Sequence, residues 1–158
     1  MRSGFAILAI GLMCASAMAD ELESDERGVW VAQVNPTTLE MFVTDCPCES
    51  SPSVDFTCKR GAGSARAELQ DFLGAAGKIG DTVEIALEID GARSKRAATL
   101  ADYGGDNVPA FDVELGDTLF DALSTGKLLK LSYGRQTAES PLKGSRKAIA
   151  AMRDYCKK

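Results

Sequence analysis

The stretch Thr82-Val83-Glu84-Ile85-Ala86-Leu87-Glu88-Ile89 decides how this chain is read. Val83, Ile85, Leu87 and Ile89 occupy every second position, with mostly polar residues between them. That is the pattern of a strand with one face in a core and the other in water. A helix would scatter the same four side chains around its circumference. Asp90-Gly91 follows, a dipeptide suited to turning one strand into the next. The alternation recurs at Leu39, Met41 and Val43, at Val54, Phe56 and Cys58, at Phe111, Val113 and Leu115, and at Leu129, Leu131 and Tyr133. Val29 to Val34 and Lys95 to Ala101 are weaker strands. Ala65 to Phe72 is read as a strand too, although Ala65, Leu69, Phe72 and Leu73 also fit a helical stripe.

Two segments break the period of two. Asp117 is placed to cap a short helix near 117–125, with Leu119, Phe120 and Leu123 facing inward and Gly126 stopping it. Ser145 is the expected N-cap of a C-terminal helix near 145–156, which puts Ala148, Ile149, Met152, Tyr155 and Cys156 on one apolar face. Short strands separated by turns, with only two short helices, predict a mainly β fold. The expectation is an antiparallel β-sandwich or open barrel of about eight strands.

The chain has 158 residues, 45% hydrophobic and 26% charged, the composition of one compact domain. Met1-Arg2-Ser3, the apolar run from Phe5 to Ala17 and the small-x-small site Ala17-Met18-Ala19 predict a signal peptide over 1–19, removed after Ala19. Cys14 follows Met13, where lipid modification wants a small residue, so it belongs to the removed peptide. The apolar run is too short for a membrane span, and no later segment suits one. Residues 20–27 read as an acidic flexible tail, and 28–158 as a single β-rich domain. The expected location is therefore periplasmic or secreted.

Charge is uneven along the chain. From Lys127 onward there are nine basic and two acidic residues, so the remainder is strongly acidic within a chain of net charge −5. The basic end either packs beside the acidic sheet or faces an anionic partner. Nucleic acid is a poor partner for so acidic a chain without interleaved aromatics. Histidine is absent, which removes His-dependent triads, imidazole metal ligands and His-based pH switches together. No catalytic residues, metal site or cofactor are assigned.

Cys46, Cys48, Cys58 and Cys156 remain once the signal peptide is gone, an even number that suits two disulfides in an oxidising compartment. Four cysteines allow three pairings. Cys58 with Cys156 is preferred, because both fall on expected buried faces and would tie the early sheet to the last helix. Pairing of Cys46 or Cys48 with Cys58 competes. Cys46-Pro47-Cys48 can alternatively form a strained, exchangeable disulfide, or hold Cu(I) with Cys58 or Met41 nearby.

Other constellations have ordinary readings. Ser124-Thr125-Gly126-Lys127 has the Ser-x-x-Lys spacing of acyl-transfer enzymes but sits at a helix end. Glu84 and Glu88 share a strand face where carboxylates simply solvate. The better recognition candidate is the loop Asp102, Tyr103, Gly104, Gly105, Asp106 and Asn107, which joins two strands and offers an aromatic among acids. Tyr103 would anchor an interface while Asp102 and Asp106 met cationic groups. Calcium has too few ligands there.

Gly28-Val29-Trp30-Val31, Val54-Asp55-Phe56-Thr57-Cys58, the segment from Ile85 to Asp90, and Leu142-Lys143-Gly144 leading to a helix that closes with Cys156 together resemble small exported proteins of proteobacteria. The pattern is similar to the VasI/TagO-like accessory proteins associated with type VI secretion and, more loosely, to the invasion-associated locus B proteins. Cys46-Pro47-Cys48 lies outside it. The resemblance implies a non-catalytic envelope β protein. The expected function is thus a periplasmic protein-interaction module, an accessory of an envelope machine with an unknown envelope protein as partner. An inhibitor or immunity protein against a peptidoglycan-cleaving enzyme is the alternative, and a thiol-redox or copper-handling protein acting through Cys46 and Cys48 is the second alternative.

Overall fold

The computed structural model describes residues 28–46, 49–50 and 54–157, with the backbone alone at 45, 46, 49 and 50. The expected signal peptide and acidic tail, and Cys48, lie outside this range. The elements run β1 (Val29–Val34), β2 (Thr38–Cys46), β3 (Glu49–Ser50), β4 (Asp55–Lys59), β5 (Ser64–Glu68), a 3-10 turn (Gln70–Phe72), β6 (Thr82–Ile89), β7 (Ala92–Tyr103), β8 (Asp106–Glu114), α1 (Thr118–Thr125), β9 (Leu128–Tyr133), β10 (Gln136–Pro141) and α2 (Ser145–Cys156). All belong to one mainly antiparallel architecture, as the alternation predicts. The strands form a single sheet in the order β1-β2-β4-β5-β8-β7-β6-β9-β10, with β3 paired to β2.

One continuous antiparallel sheet whose ends approach each other fits the expected open barrel. Its two ends meet where the Trp30 backbone N–H donates to the Lys143 carbonyl (2.8 Å) and the indole Nε1 donates to the Pro141 carbonyl (2.7 Å). Gly144 is required at this closure. Its φ is +84°, and a Cβ there would stand 2.7 Å from the Trp30 carbonyl oxygen.

The inward residues of the strands form the core. Ile85 and Leu87 from the deciding stretch join Leu39, Met41, Phe56 and Leu131, and α2 adds Ile149 and Met152. The α2 helix lies over β1, β2 and β4 and packs against α1. Phe56 links the layers, its ring centroid 6.1 Å from Trp30 and 5.4 Å from Phe120 of α1. Such fully buried aromatics supply much of the burial energy of a domain this size.

Two local readings need correction. The strand expected from Ala65 to Phe72 ends at Glu68. The chain then bends through the 3-10 turn, which lets Leu69 and Phe72 both reach the core, the double burial that gave the segment its helical look. Ser145 is the first residue of α2 and not its cap; Gly144 is the N-cap. The Ser145 hydroxyl instead reaches the Leu123 and Leu142 carbonyls (2.7 and 2.8 Å), tying α2 to the end of α1. Asp117 does cap α1, accepting from the Leu119 N–H at 2.8 Å. Gly126 ends α1 for reasons of space, because its φ is −74° and a Cβ would meet Ile89 Cγ2 at 2.5 Å.

Candidate functional site

The β7–β8 hairpin outruns its neighbours. β6 begins at Thr82 opposite Thr99, and β5 ends at Glu68 opposite Ala110, so residues 100–109 extend past both flanking strands. An isolated two-stranded ribbon is marginal in water. Here the connection from Leu69 to Asp81 supplies the missing edge partners. On the β8 side, the Leu69 N–H donates to Pro109 O, and the Gly74 and Ala75 N–H groups donate to Asn107 O. On the β7 side, Gly80 N–H donates to Leu100 O and Leu100 N–H donates to Asp81 O. The connection is fixed in turn by Asn107 Nδ2, which donates to Gly77 O at 2.8 Å, and by the Tyr133 hydroxyl, which donates to Ala76 O at 3.0 Å.

The turn itself is short. Strand pairing persists to Tyr103 opposite Asp106, leaving only Gly104 and Gly105 between them. Both have positive φ (66° and 100°), which permits a tight two-residue turn in place of the longer loop read from Asp102 to Asn107. Asp102 Oδ1 accepts from the Gly105 N–H at 3.2 Å. Asp102, Tyr103 and Asp106 are exposed, whereas Asn107 is half-buried and fastens the connection.

This end of the molecule also carries apolar surface. The exposed large apolar residues among those described are Val34, Leu73, Ile79, Tyr103 and Leu128. Three of these belong to the hairpin and the connection around it, with Leu73 47%, Ile79 62% and Tyr103 41% exposed. Sequence reasoning singled out Tyr103 and missed Leu73 and Ile79. The signal available was the glycine series Gly74, Gly77 and Gly80, all at positive φ, which marks a deliberately shaped connection.

The cysteines divide. Cys58 and Cys156 form a disulfide across 98 residues, with Cα atoms 6.1 Å apart and both side chains buried. The bond joins β4 to the last residue of α2. Cys46 ends β2, and its side chain, like all of Cys48, lies outside the described residues.

The remaining candidates are engaged locally. Glu84 pairs with Lys95 at 2.7 Å and Glu88 with Arg93 at 3.4 Å, each across the β6–β7 ladder. The Ser124 hydroxyl donates to the Asp121 carbonyl at 2.8 Å. Arg153, from the basic end of the chain, reaches Asp121 at 2.7 Å and the Leu115 carbonyl at 3.0 Å. Arg96 donates to Asp117 Oδ1 at 2.6 Å beside a hollow of about 430 Å³ between α1 and β6–β7.

Two aspartates have contrasting electrostatics. The Arg96 hydrogen bond holds the Asp117 carboxyl below its ordinary value. Asp55, on β4, is pushed up to about 7 by burial, then by the Glu40 and Glu68 carboxylates. Its buried Oδ1 has no hydrogen-bond partner among the described residues. No group of three or more His, Cys, Asp or Glu among the described residues is disposed to hold a metal ion. No family model, curated protein or solved structure matches the chain.

Proposed function

We propose that this chain is a non-catalytic interaction module of the bacterial periplasm, an accessory of an envelope machine, that engages a protein partner through the end of the β7–β8 hairpin. The single observation behind this reading is the construction of that end. A projecting hairpin is bonded along both edges, so its contact residues are ordered before any partner arrives, and pre-ordering lowers the entropy cost of binding. Tyr103, Leu73 and Ile79 supply apolar contact area, and Asp102 and Asp106 select a cationic surface. The disulfide suits an oxidising compartment, which supports export.

A photo-crosslinking residue placed at Tyr103, and separately at Glu84 on the outer sheet face, tests the reading in cells. One protein adduct, formed from position 103 and not from 84, is the expected result. Equal labelling from both positions, or none from 103, would end it.

The shape of the same end favours a second reading, an inhibitor or immunity protein against a peptidoglycan-cleaving enzyme. A narrow convex turn with an aromatic between two carboxylates complements a concave cationic cleft. A panel of lysozymes and amidases assayed with the purified protein separates the two: inhibition that is lost in Tyr103→Ala supports this one, and uninhibited enzymes remove it.

A further inference from the structure

The outer edge of β10 offers backbone hydrogen bonds at Thr137 and Glu139 that nothing among the described residues takes up. The turn Gly134-Arg135 has two residues, so the flanking Tyr133 and Gln136 form a hydrogen-bonded pair and bonding to β9 alternates from there. The backbone groups of Thr137, Glu139 and Pro141 therefore point away from the sheet. The Pro141 carbonyl is met by the Trp30 indole. Those of Thr137 and Glu139 have no hydrogen-bond partner among the described residues. β1 does not supply one, because its main-chain bond falls beyond the end of β10, at Lys143, and its indole bond falls on Pro141.

A hollow of about 440 Å³ lies at this edge, lined by Gln136, Thr137, Ala138 and Glu139 together with Asp71 and Phe72. Consecutive strand residues point to alternate faces, so a hollow touching all four follows the edge and not one face. Part of its lining is firm: the Phe72 ring is buried with its centroid 5.9 Å from that of Tyr133. Edge strands are ordinarily blunted by an internal proline, a bulge or a lysine. β10 keeps unbroken register with β9, and its only proline is its last residue. Of the two carboxylates at the hollow, Glu139 is paired with Lys130 at 3.1 Å. Asp71 has no ion pair among the described residues.

We infer that the β10 edge receives an extended segment of a partner protein, which adds a strand to the sheet and sets a lysine or arginine against Asp71. Main-chain bonds give such a contact its affinity, and the side-chain pocket gives it selectivity. The inference does not rest on the hairpin end and stands if Tyr103 proves inert.

Fluorescence anisotropy with the purified chain tests it, using three labelled peptides: Thr-Lys-Val-Thr-Lys-Val, its glutamate counterpart, and the lysine peptide N-methylated at alternate residues. The lysine peptide is expected to bind at least about tenfold more tightly than either of the others. Thr137→Pro removes an outward N–H and is expected to abolish binding, while Asp71→Asn is expected to remove the preference for lysine over glutamate and keep the binding. Should Thr137→Pro fail to fold, the N-methylated peptide asks the same question from the other side. Equal binding of the N-methylated peptide, an unchanged lysine preference in Asp71→Asn, or no binding of any peptide overturns the proposal. So does a dimer of the chain itself that Thr137→Pro dissolves, which would make a second copy the occupant.

Discussion

The helix-covered side of the barrel and the β7–β8 end are built from different materials. On the first, Trp30, Phe56 and Phe120 stack inward, a disulfide pins the last helical residue to β4, and buried side chains do the holding. On the second, main-chain hydrogen bonds from a glycine-punctuated connection brace the hairpin, and Leu73, Ile79 and Tyr103 are turned outward while Leu69, Phe72, Leu100 and Val108 are buried. Stability and the proposed contact surface are thereby separated in space, so substitutions are expected to change one with little effect on the other.

The largest test of that separation is the disulfide. Closing a loop between residues 98 apart is worth about 4 to 5 kcal/mol in the chain-entropy account. The double variant Cys58→Ala, Cys156→Ala is expected to lose stability on that order in a urea titration. Crosslinking from position 103 should remain once the protein is folded. Loss of crosslinking in the folded double variant would show that the two regions are coupled.

Next in size is Asp55. Its carboxyl titrates at about 7 in the fold against an ordinary 3.8, so the folded state holds its proton more tightly. The stabilisation from that proton is fully present below pH 3.8 and is lost as the pH rises through about 7. For a half-buried group the loss comes to roughly 1 to 3 kcal/mol. Asp55→Asn is expected to melt higher than the natural chain at pH 8 and level with it near pH 4, and a pH-independent difference would remove this assignment. Asp117 works in the opposite sense. Its lowered value means stability that is present above the ordinary carboxylate range and falls away as the pH drops through the folded value. Asp117→Ala, which also removes the α1 cap, should cost about 1 to 2 kcal/mol at pH 7 and less in acid.

The two regions also differ in how far they were legible beforehand. The strands whose inward residues alternate, Leu39 to Val43 and Val83 to Ile89 among them, could be read directly, because one face of each packs on the core. So could the Asp117 cap and the apolar face of α2, and these made Cys58 with Cys156 the preferred one of three pairings, which the disulfide bears out. Ser145 misled because its hydroxyl serves the junction between helices, a tertiary role that resembles a cap in sequence. The hairpin end was legible at Tyr103 alone. Its length depends on where β5 ends and β6 begins, and its order depends on a connection held mostly by main-chain bonds, with side-chain bonds from Asn107 and Tyr133 that come from positions distant in sequence. Strand order, and with it the open edge of β10, is likewise a property of pairing between distant segments.

The smallest expected change in stability belongs to Tyr103→Ala. Its side chain is 41% exposed and forms no part of the core, so the substitution should shift stability by less than about 0.5 kcal/mol. The same change should weaken partner capture at least about tenfold, since aromatic anchors dominate the energetics of small interfaces. Asn107→Ala supplies the contrast within one hairpin. It leaves the exposed surface intact but frees the connection at Gly77, so amide exchange across residues 74–80 should quicken while the melting point moves little. If slackening the connection weakens capture as much as removing the aromatic does, order at this end matters as much as chemistry. If only Tyr103→Ala does so, the hairpin needs no strap to bind, and the bonding along its edges serves the barrel instead.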